Sequence, residues 1–159
     1  MRDGDYSLAE DSFCRALEKS PDNCSAAYNL CVVWLERDGK QGRRRAIARL
    51  EDIIARFPNY LFAPITLAQF AAIEGDLDRA TNMLKPILEV EKLHVSEATA
   101  LFTTQIQIAL KRRDFELAEQ SYEMFVQIAD EDDSRVLELR RLIDSATTKH
   151  GLGRLVGLS

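Results

Sequence analysis

One small residue recurs along this chain in the same sequence setting. Ala9, Ala46, Ala80 and Ala118 are separated by 37, 34 and 38 residues. Each follows a turn-forming Gly or Asp, and each has a large apolar residue four positions later and an apolar residue or alanine seven positions later. A repeat near 34 residues with helical spacing of apolar side chains indicates helix-turn-helix units stacked into a solenoid. A solenoid has no built-in catalytic centre and presents a long surface to other molecules.

The composition agrees with a single, mostly helical domain. The 159 residues are 46% apolar and 30% charged, with seven glycines and four prolines. The net charge of −5 disfavours functions that depend on general attraction to nucleic acid or to an anionic membrane. The sequence has neither a run of about 20 apolar residues, as a transmembrane helix requires, nor the apolar core of a signal peptide. We therefore expect a cytoplasmic protein that binds neither nucleic acid nor a membrane.

The three cysteines are interpreted as free thiols. Cys14, Cys24 and Cys31 are odd in number and lack metal-ligand spacing. Each falls within an apolar helical pattern, which predicts burial in a reducing compartment.

The periodic pattern predicts one helical repeat domain at 1–150 and a C-terminal tail at 151–159. The expected units are a half repeat at 4–21, helix pairs at about 24–58, 61–92 and 96–130, and a capping helix at 134–150. In the first pair, a helix over Cys24–Arg37 should be followed by a loop at 38–42. Ser96 suits the N-cap of the third pair, and Gly151 suits the end of the capping helix.

The beginning of the sequence departs from this scheme. A turn at 4–6 leads directly into a helix at 8–19 that has the pattern of the second helix of a pair, with no first helix before it. We call a helix with this pattern a second-type helix. One interpretation is that the sequence starts in the middle of a repeat and belongs to a longer protein, and the other is a native half-repeat cap. Apolar residues such as Leu8 and Phe13, if left uncovered, would promote self-association through this helix.

These patterns resemble the tetratricopeptide repeat family. Residues 4–21 read GDYSLAEDSFCRALEKSP, which is similar to the second half of the family consensus, and GDLDRA at 75–80 and DFELA at 114–118 repeat its beginning. Trp34 stands where the family has an aromatic residue in a first helix. The resemblance covers roughly residues 3–130, although Ile106 replaces the small residue usual at its position. It implies an all-α, right-handed α-solenoid whose first helices line an inner groove for a peptide or partner helix.

The family's groove positions can be transferred to this sequence one by one. The resulting candidate groove residues are Tyr28, Asn29, Val32, Phe62, Ile65, Thr66, Gln69, Thr103, Thr104 and Gln107. Some family members clamp a C-terminal carboxylate with Lys, Arg and Asn. Here only Asn29 matches, and Thr66 and Thr104 occupy the equivalent positions, so the resemblance favours an extended or helical segment with apolar anchors. Alternatively, Phe62 and Ile65 pack against neighbouring repeats.

A basic cluster at Arg43, Arg44 and Arg45, flanked by Lys40 and Arg49, admits two interpretations. It could dock an acidic partner or a phosphate, or it could be a solvated helix start. Arginines at a helix N-terminus oppose the helix dipole, which calls for an acidic neighbour such as Glu51 or Asp52.

Signals for catalysis are weak. His94 and His150 lack neighbouring Cys or carboxylates at metal spacing, and the acidic residues at 130–133 suit a helix start. We expect no enzyme activity, cofactor or metal. The predicted function is an adaptor or scaffold that binds another protein. One alternative is a structural segment that drives homo-oligomerisation or packs within a longer repeat protein. A third alternative, which the net charge disfavours, is nucleic-acid binding through Arg43, Arg44 and Arg45.

Overall fold

The computed structural model describes residues 3–130 and 133–156, and within those ranges every regular element is an α-helix. The all-α prediction is therefore confirmed. The helices are α1 Asp3–Lys19, α2 Cys24–Arg37, α3 Gly39–Arg56, α4 Phe62–Glu74, α5 Leu77–Leu88, α6 Val95–Arg112, α7 Phe115–Ile128 and α8 Ser134–Val156. Across the described parts of the chain, none of them combines the length and apolarity needed to cross a bilayer.

The chain divides into two compact units, Met1–Leu67 and Ala68–Ser159. In the first unit, α2 packs against both α1 and α3. In the second, α6 packs against α5 and α7, and α8 packs against α7 and α6.

The recurring alanines lie where second-type helices meet their neighbours. Ala46, Ala80 and Ala118 have no exposed surface, and Ala9 is half-buried. The large residues that follow them at helical spacing are also buried, including Leu50 and Ile53 in α3 and Leu84 and Ile87 in α5. Small side chains at these positions allow neighbouring helices to approach closely.

One hydrophobic core cluster of the second unit surrounds Phe125. The fully or nearly fully buried members are Ile106, Ala109, Ala118, Phe125, Leu139 and Ile143. Ile106, which departs from the family pattern, thus fills a core position with its side chain. Because α8 contributes Leu139 and Ile143, this helix closes the apolar face that α6 and α7 leave open.

Aspartates set the starts of two second-type helices. Gly75 adopts a left-handed φ of 90°, and Asp76 then accepts the backbone N–H of Arg79 at 3.1 Å. Asp114 accepts the N–H of Leu117 in the same way, after Arg113 has turned the chain at a φ of 60°. These caps satisfy backbone donors that a helix start otherwise leaves unpaired, and they explain why Asp precedes the recurring alanines.

The connection between α2 and α3 is shorter than predicted. The helix over Cys24–Arg37 is confirmed, but the loop at 38–42 is wrong because α3 begins at Gly39, and Asp38 alone separates the two helices. Gly39 supplies the left-handed turn, with a φ of 54°. Gly42 is needed for a different reason, since a Cβ there would lie 1.9 Å from the carbonyl oxygen of Trp34. The glycines allow close helix packing as well as a turn.

Three other predicted helix ends also differ. The turn at 4–6 is helical because α1 begins at Asp3. The N-cap of α6 is His94 instead of Ser96, because His94 forms a reciprocal capping box with Glu97. Helix α8 continues past Gly151 to Val156. A glycine disfavours a helix by only about 1 kcal/mol relative to alanine, so the helix-forming residues beyond it prevail. Of the predicted tail, 157–159 lie outside the described residues.

The cysteines are free, but they are not equally buried. Cys31 is fully buried and donates its thiol to the carbonyl of Ala27 at 3.2 Å, and burial raises its pKa to about 11. Cys24 is half-buried, whereas Cys14 is exposed on the outer side of α1. The predicted burial of Cys14 is therefore wrong, because its position in the helix faces solvent and α2 covers the opposite side.

Ala80→Leu is expected to lower the free energy of unfolding by about 1–3 kcal/mol, because three extra carbons must enter a fully packed helix crossing. Urea unfolding followed by circular dichroism measures the change. Ala48→Leu on the exposed side of α3 is the matched control and should leave the urea midpoint nearly unchanged. Equal midpoints for wild type and Ala80→Leu would mean that the assigned repeat register is wrong.

Candidate binding surfaces

A cluster of three aromatic rings marks the first unit. Tyr28 in α2, Tyr60 in the α3–α4 connection and Phe62 at the start of α4 have ring centroids 5.7 Å apart in all three pairs. The hydroxyl groups of Tyr28 and Thr66 share a hydrogen bond of 3.1 Å, which fixes the Tyr28 ring. All three rings are half-buried. The cluster is thus a preorganised apolar surface that remains partly open to solvent.

The other predicted groove residues of the first unit differ in accessibility. Asn29 is exposed and Val32 is half-buried, so both can contact a ligand. Ile65 is only 1% exposed and Thr66 is also buried, which makes them supports of the surface. Tyr60 was not among the predicted residues, although its position two residues before Phe62 is a visible aromatic signal.

In the second unit, most polar side chains at the predicted groove positions form hydrogen bonds within the protein. Gln69 donates its amide to the Thr104 hydroxyl at 2.9 Å, and the buried Thr104 donates to the carbonyl of Ala100 at 2.7 Å. The Thr103 hydroxyl donates to the carbonyl of Thr99 at 2.8 Å. Gln107 is exposed. Of these side chains, Gln107 offers a ligand the most accessible hydrogen-bonding groups.

Lys111 follows the groove candidates Thr103, Thr104 and Gln107 along α6, and its ammonium group could in principle receive a ligand carboxylate. Its ammonium group donates to the carbonyl oxygen of Ala72 at 2.6 Å, near the end of α4. A cation is favourable at a helix C-terminus, where unpaired carbonyl groups carry partial negative charge. This contact weakens the case for Lys111 as a carboxylate receptor.

The three arginines of the basic cluster, Arg43, Arg44 and Arg45, lie in different environments. The Arg45 guanidinium lies 4.1 Å from the centre of the Trp34 ring and forms ion pairs with Asp38 at 3.3 Å and Glu10 at 3.6 Å. Arg44 is exposed, and Arg43 is half-buried. Arg45 therefore belongs to an internal network, and the three arginines do not form one open cationic surface.

That network joins the first three helices through Glu10. The Trp34 indole donates to Glu10 at 2.8 Å, and Arg37 pairs with Glu10 and Asp38, each at 2.6 Å. The Trp34 hydrogen bond, followed by that of Arg37, lowers the pKa of Glu10 below its usual value. Arg37 likewise lowers the pKa of Asp38. Both carboxylates consequently remain charged in mildly acidic solution.

Glu10→Gln is expected to destabilise the protein at pH 7 and to reduce the loss of stability in acid. Because the folded pKa of Glu10 is depressed, its contribution is fully present above the ordinary value of 4.5 and is lost as the pH falls through the lower folded pKa. Urea unfolding at a series of pH values measures this difference. Glu51→Gln, at an exposed position of α3, serves as the control. If the free energy of unfolding changed with pH in the same way for wild type and Glu10→Gln, the lowered pKa of Glu10 would be contradicted.

The described surface includes the following three clefts. The first, about 490 Å³, is bounded by α5, α6 and α7 and includes the Arg112–Asp78 ion pair. The second, about 390 Å³, lies beside Cys24 and Tyr60. The third, about 270 Å³, lies where α6 and α8 begin and α7 ends. Within the described ranges, no three His, Cys, Asp or Glu side chains are arranged to hold a metal ion.

The residues first considered for catalysis have structural contacts. His94 caps α6 by accepting the Ser96 N–H at 3.3 Å on its Nδ1 atom. Asp133 pairs with Arg135 at 2.6 Å, and this hydrogen bonding lowers the pKa of Asp133. The His150 side chain, Glu131 and Asp132 lie outside the described residues.

No protein-family model matches the chain, and no curated protein is detectably similar to it in sequence.

Proposed function

We propose that this protein is an α-solenoid of the tetratricopeptide type that acts by binding another protein. The support is the recurrence of one local arrangement. Second-type helices α3, α5 and α7 each carry a fully buried alanine, Ala46, Ala80 and Ala118 respectively. In this proposal the solenoid is right-handed, the chain is a cytoplasmic adaptor or scaffold, and it needs neither a cofactor nor catalysis.

The aromatic cluster is the observation that carries the binding proposal. Its rings are held in place by one another and by Thr66, so little side-chain entropy is lost when a ligand covers them. An apolar anchor of the partner packs on the rings, while exposed Asn29 offers an amide to the partner's backbone. Ile65, Thr66 and Thr104 are buried, so none of them contacts the partner in this proposal.

A pull-down from cell lysate with Asn29→Arg beside the wild type tests this proposal. The substitution places a long cation at the exposed position that follows Tyr28 in α2, without removing any core side chain. Gln127→Arg, at an exposed position of α7, is the matched control. A protein retained by the wild type and by Gln127→Arg, but lost by Asn29→Arg, would support the proposal. Identical protein sets from all three would contradict it.

Exposed Leu8 favours the alternative of self-association. It is 69% exposed on α1, whereas Phe13 and Leu17 are half-buried. The uncovered apolar surface of this helix is therefore smaller than the sequence indicates. Sedimentation velocity over a range of concentrations, with Leu8→Ser as the variant, distinguishes the two functions. A concentration-dependent oligomer that Leu8→Ser abolishes would favour the structural function.

A further inference from the structure

One end of the second unit carries five exposed large apolar side chains. At this end α5 and α7 finish and α6 and α8 begin, and all five residues lie within three positions of those helix ends. They are Leu88, Val90, Val95, Val126 and Leu137. Single exposed apolar residues are ordinary, but several at one end of a unit indicate an interaction surface. We refer to this set of five residues as the apolar end.

The 270 Å³ cleft opens at the apolar end. Val95, Ile128 and Ala129 contribute its apolar lining, and Asp130 and Asp133 stand at its polar side. Val95 is 58% exposed and belongs to both the cleft and the apolar end. The volume is enough for one large aliphatic side chain of a partner.

The described residues of the chain segments that lead into the cleft carry a net negative charge. In 89–97, 130 and 133–135, five acidic residues outnumber Lys92 and Arg135, which gives a formal charge of −3 with His94 neutral. Arg135 is paired with Asp133 and therefore does little to attract an anion.

We propose that the apolar end docks an amphipathic basic segment of another protein. One apolar side chain of the segment enters the cleft beside Val95, and its Lys or Arg side chains face the acidic surroundings. Charge decides against other occupants. A second copy would bring a like charge to the same place, and an acidic partner would be repelled as well. This surface shares no residue with the aromatic cluster, so the proposal stands independently of the function proposed above.

Fluorescence anisotropy with a labelled synthetic peptide tests the proposal on the full chain. The peptide contains only Leu and Lys, with the leucines at helical spacing. We expect saturable binding that weakens as salt is added. Val95→Ser should weaken it about tenfold, as the loss of one buried aliphatic contact predicts. Asp130→Asn should weaken it about twofold to threefold, because a single rim charge contributes little.

Matched substitutions away from the cleft provide the controls. Ile73→Ser removes another exposed apolar side chain, and Asp11→Asn removes an exposed carboxylate on α1. Neither should change the affinity for the peptide. Leu137→Ser provides a second variant of the apolar end in case Val95→Ser disturbs the start of α6, and circular dichroism verifies that each variant is folded.

Several results would overturn the proposal. One is undiminished binding to Val95→Ser and Leu137→Ser when both are folded. Another is equal binding of a peptide with Glu in place of Lys, or with Ser in place of Leu, because the first would exclude charge recognition and the second the apolar anchor. Absence of peptide binding together with self-association that Val95→Ser abolishes would assign the surface to a second copy. None of these results would affect the test at Asn29.

Discussion

Phe125→Ala is expected to lower the free energy of unfolding of the second unit by about 3–5 kcal/mol. The Phe125 ring is fully buried among side chains from α6, α7 and α8, including Ile106, Leu139 and Ile143. Its removal leaves a cavity that three helices cannot close without moving, so the lost contacts add to the lost transfer free energy. Chemical denaturation followed by circular dichroism measures the effect.

Met124→Ala is the matched control for this prediction. It is the preceding residue in α7 and is 46% exposed, so its truncation should change the free energy by less than about 1 kcal/mol. If Phe125→Ala were no more destabilising than Met124→Ala, the ring could not be part of the core described here.

Gly42→Ala is expected to destabilise the first unit by about 2–3 kcal/mol, although alanine favours an isolated helix by about 1 kcal/mol over glycine. The new methyl group would lie 1.9 Å from the Trp34 carbonyl oxygen and 2.8 Å from the Asp38 Cβ. Because the nearest contact is to backbone atoms of α2, rotating a side chain cannot relieve it, and the two helices must separate.

Urea unfolding measures this effect, and Gln41→Ala, at the exposed neighbouring position, gives the comparison. The Gln41 variant should be neutral or slightly stabilising. A rise in stability on Gly42→Ala, as helix propensity alone would predict, would show that α2 and α3 do not approach as closely as described.

The helical character and the buried alanines could be predicted because both depend on patterns that repeat within single helices. Ala46, Ala80 and Ala118 recur with apolar residues at helical spacing, and each is fully buried. A repeated pattern strengthens an inference that one helix alone would leave weak. The Asp and Gly residues before these helices are equally local signals, and they lie at the observed turns of the second unit.

The exceptions arise where one residue type serves two purposes. Gly39 and Gly42 together are typical of a loop, yet one turns the chain and the other permits close packing within α3. Serine is a common N-cap, but His94 can also accept a backbone hydrogen bond, and its partner Glu97 completes the capping box. Sequence preferences at a helix end do not determine which of two polar residues, two positions apart, caps it.

The candidate surfaces were less predictable because they depend on contacts between helices. Arg45 reads as part of a basic cluster, but Trp34 and Glu10, from two other helices, surround its guanidinium group. In the same way, Thr104 is a groove position by resemblance, and only the fold shows that it is buried beneath Gln69. Such contacts join residues about 10 to 35 positions apart, far beyond the reach of helical periodicity.

Because the thiols lie in different environments, their rates of alkylation measure how often the first unit opens locally. The thiolate is the form that reacts with alkylating reagents. With its pKa at about 11 and no access to solvent, Cys31 reacts only while α2 is transiently released from its neighbours. Cys14, being exposed, reacts without such a release. The ratio of the two labelling rates therefore gives the frequency of local opening in the first unit, without any engineered probe.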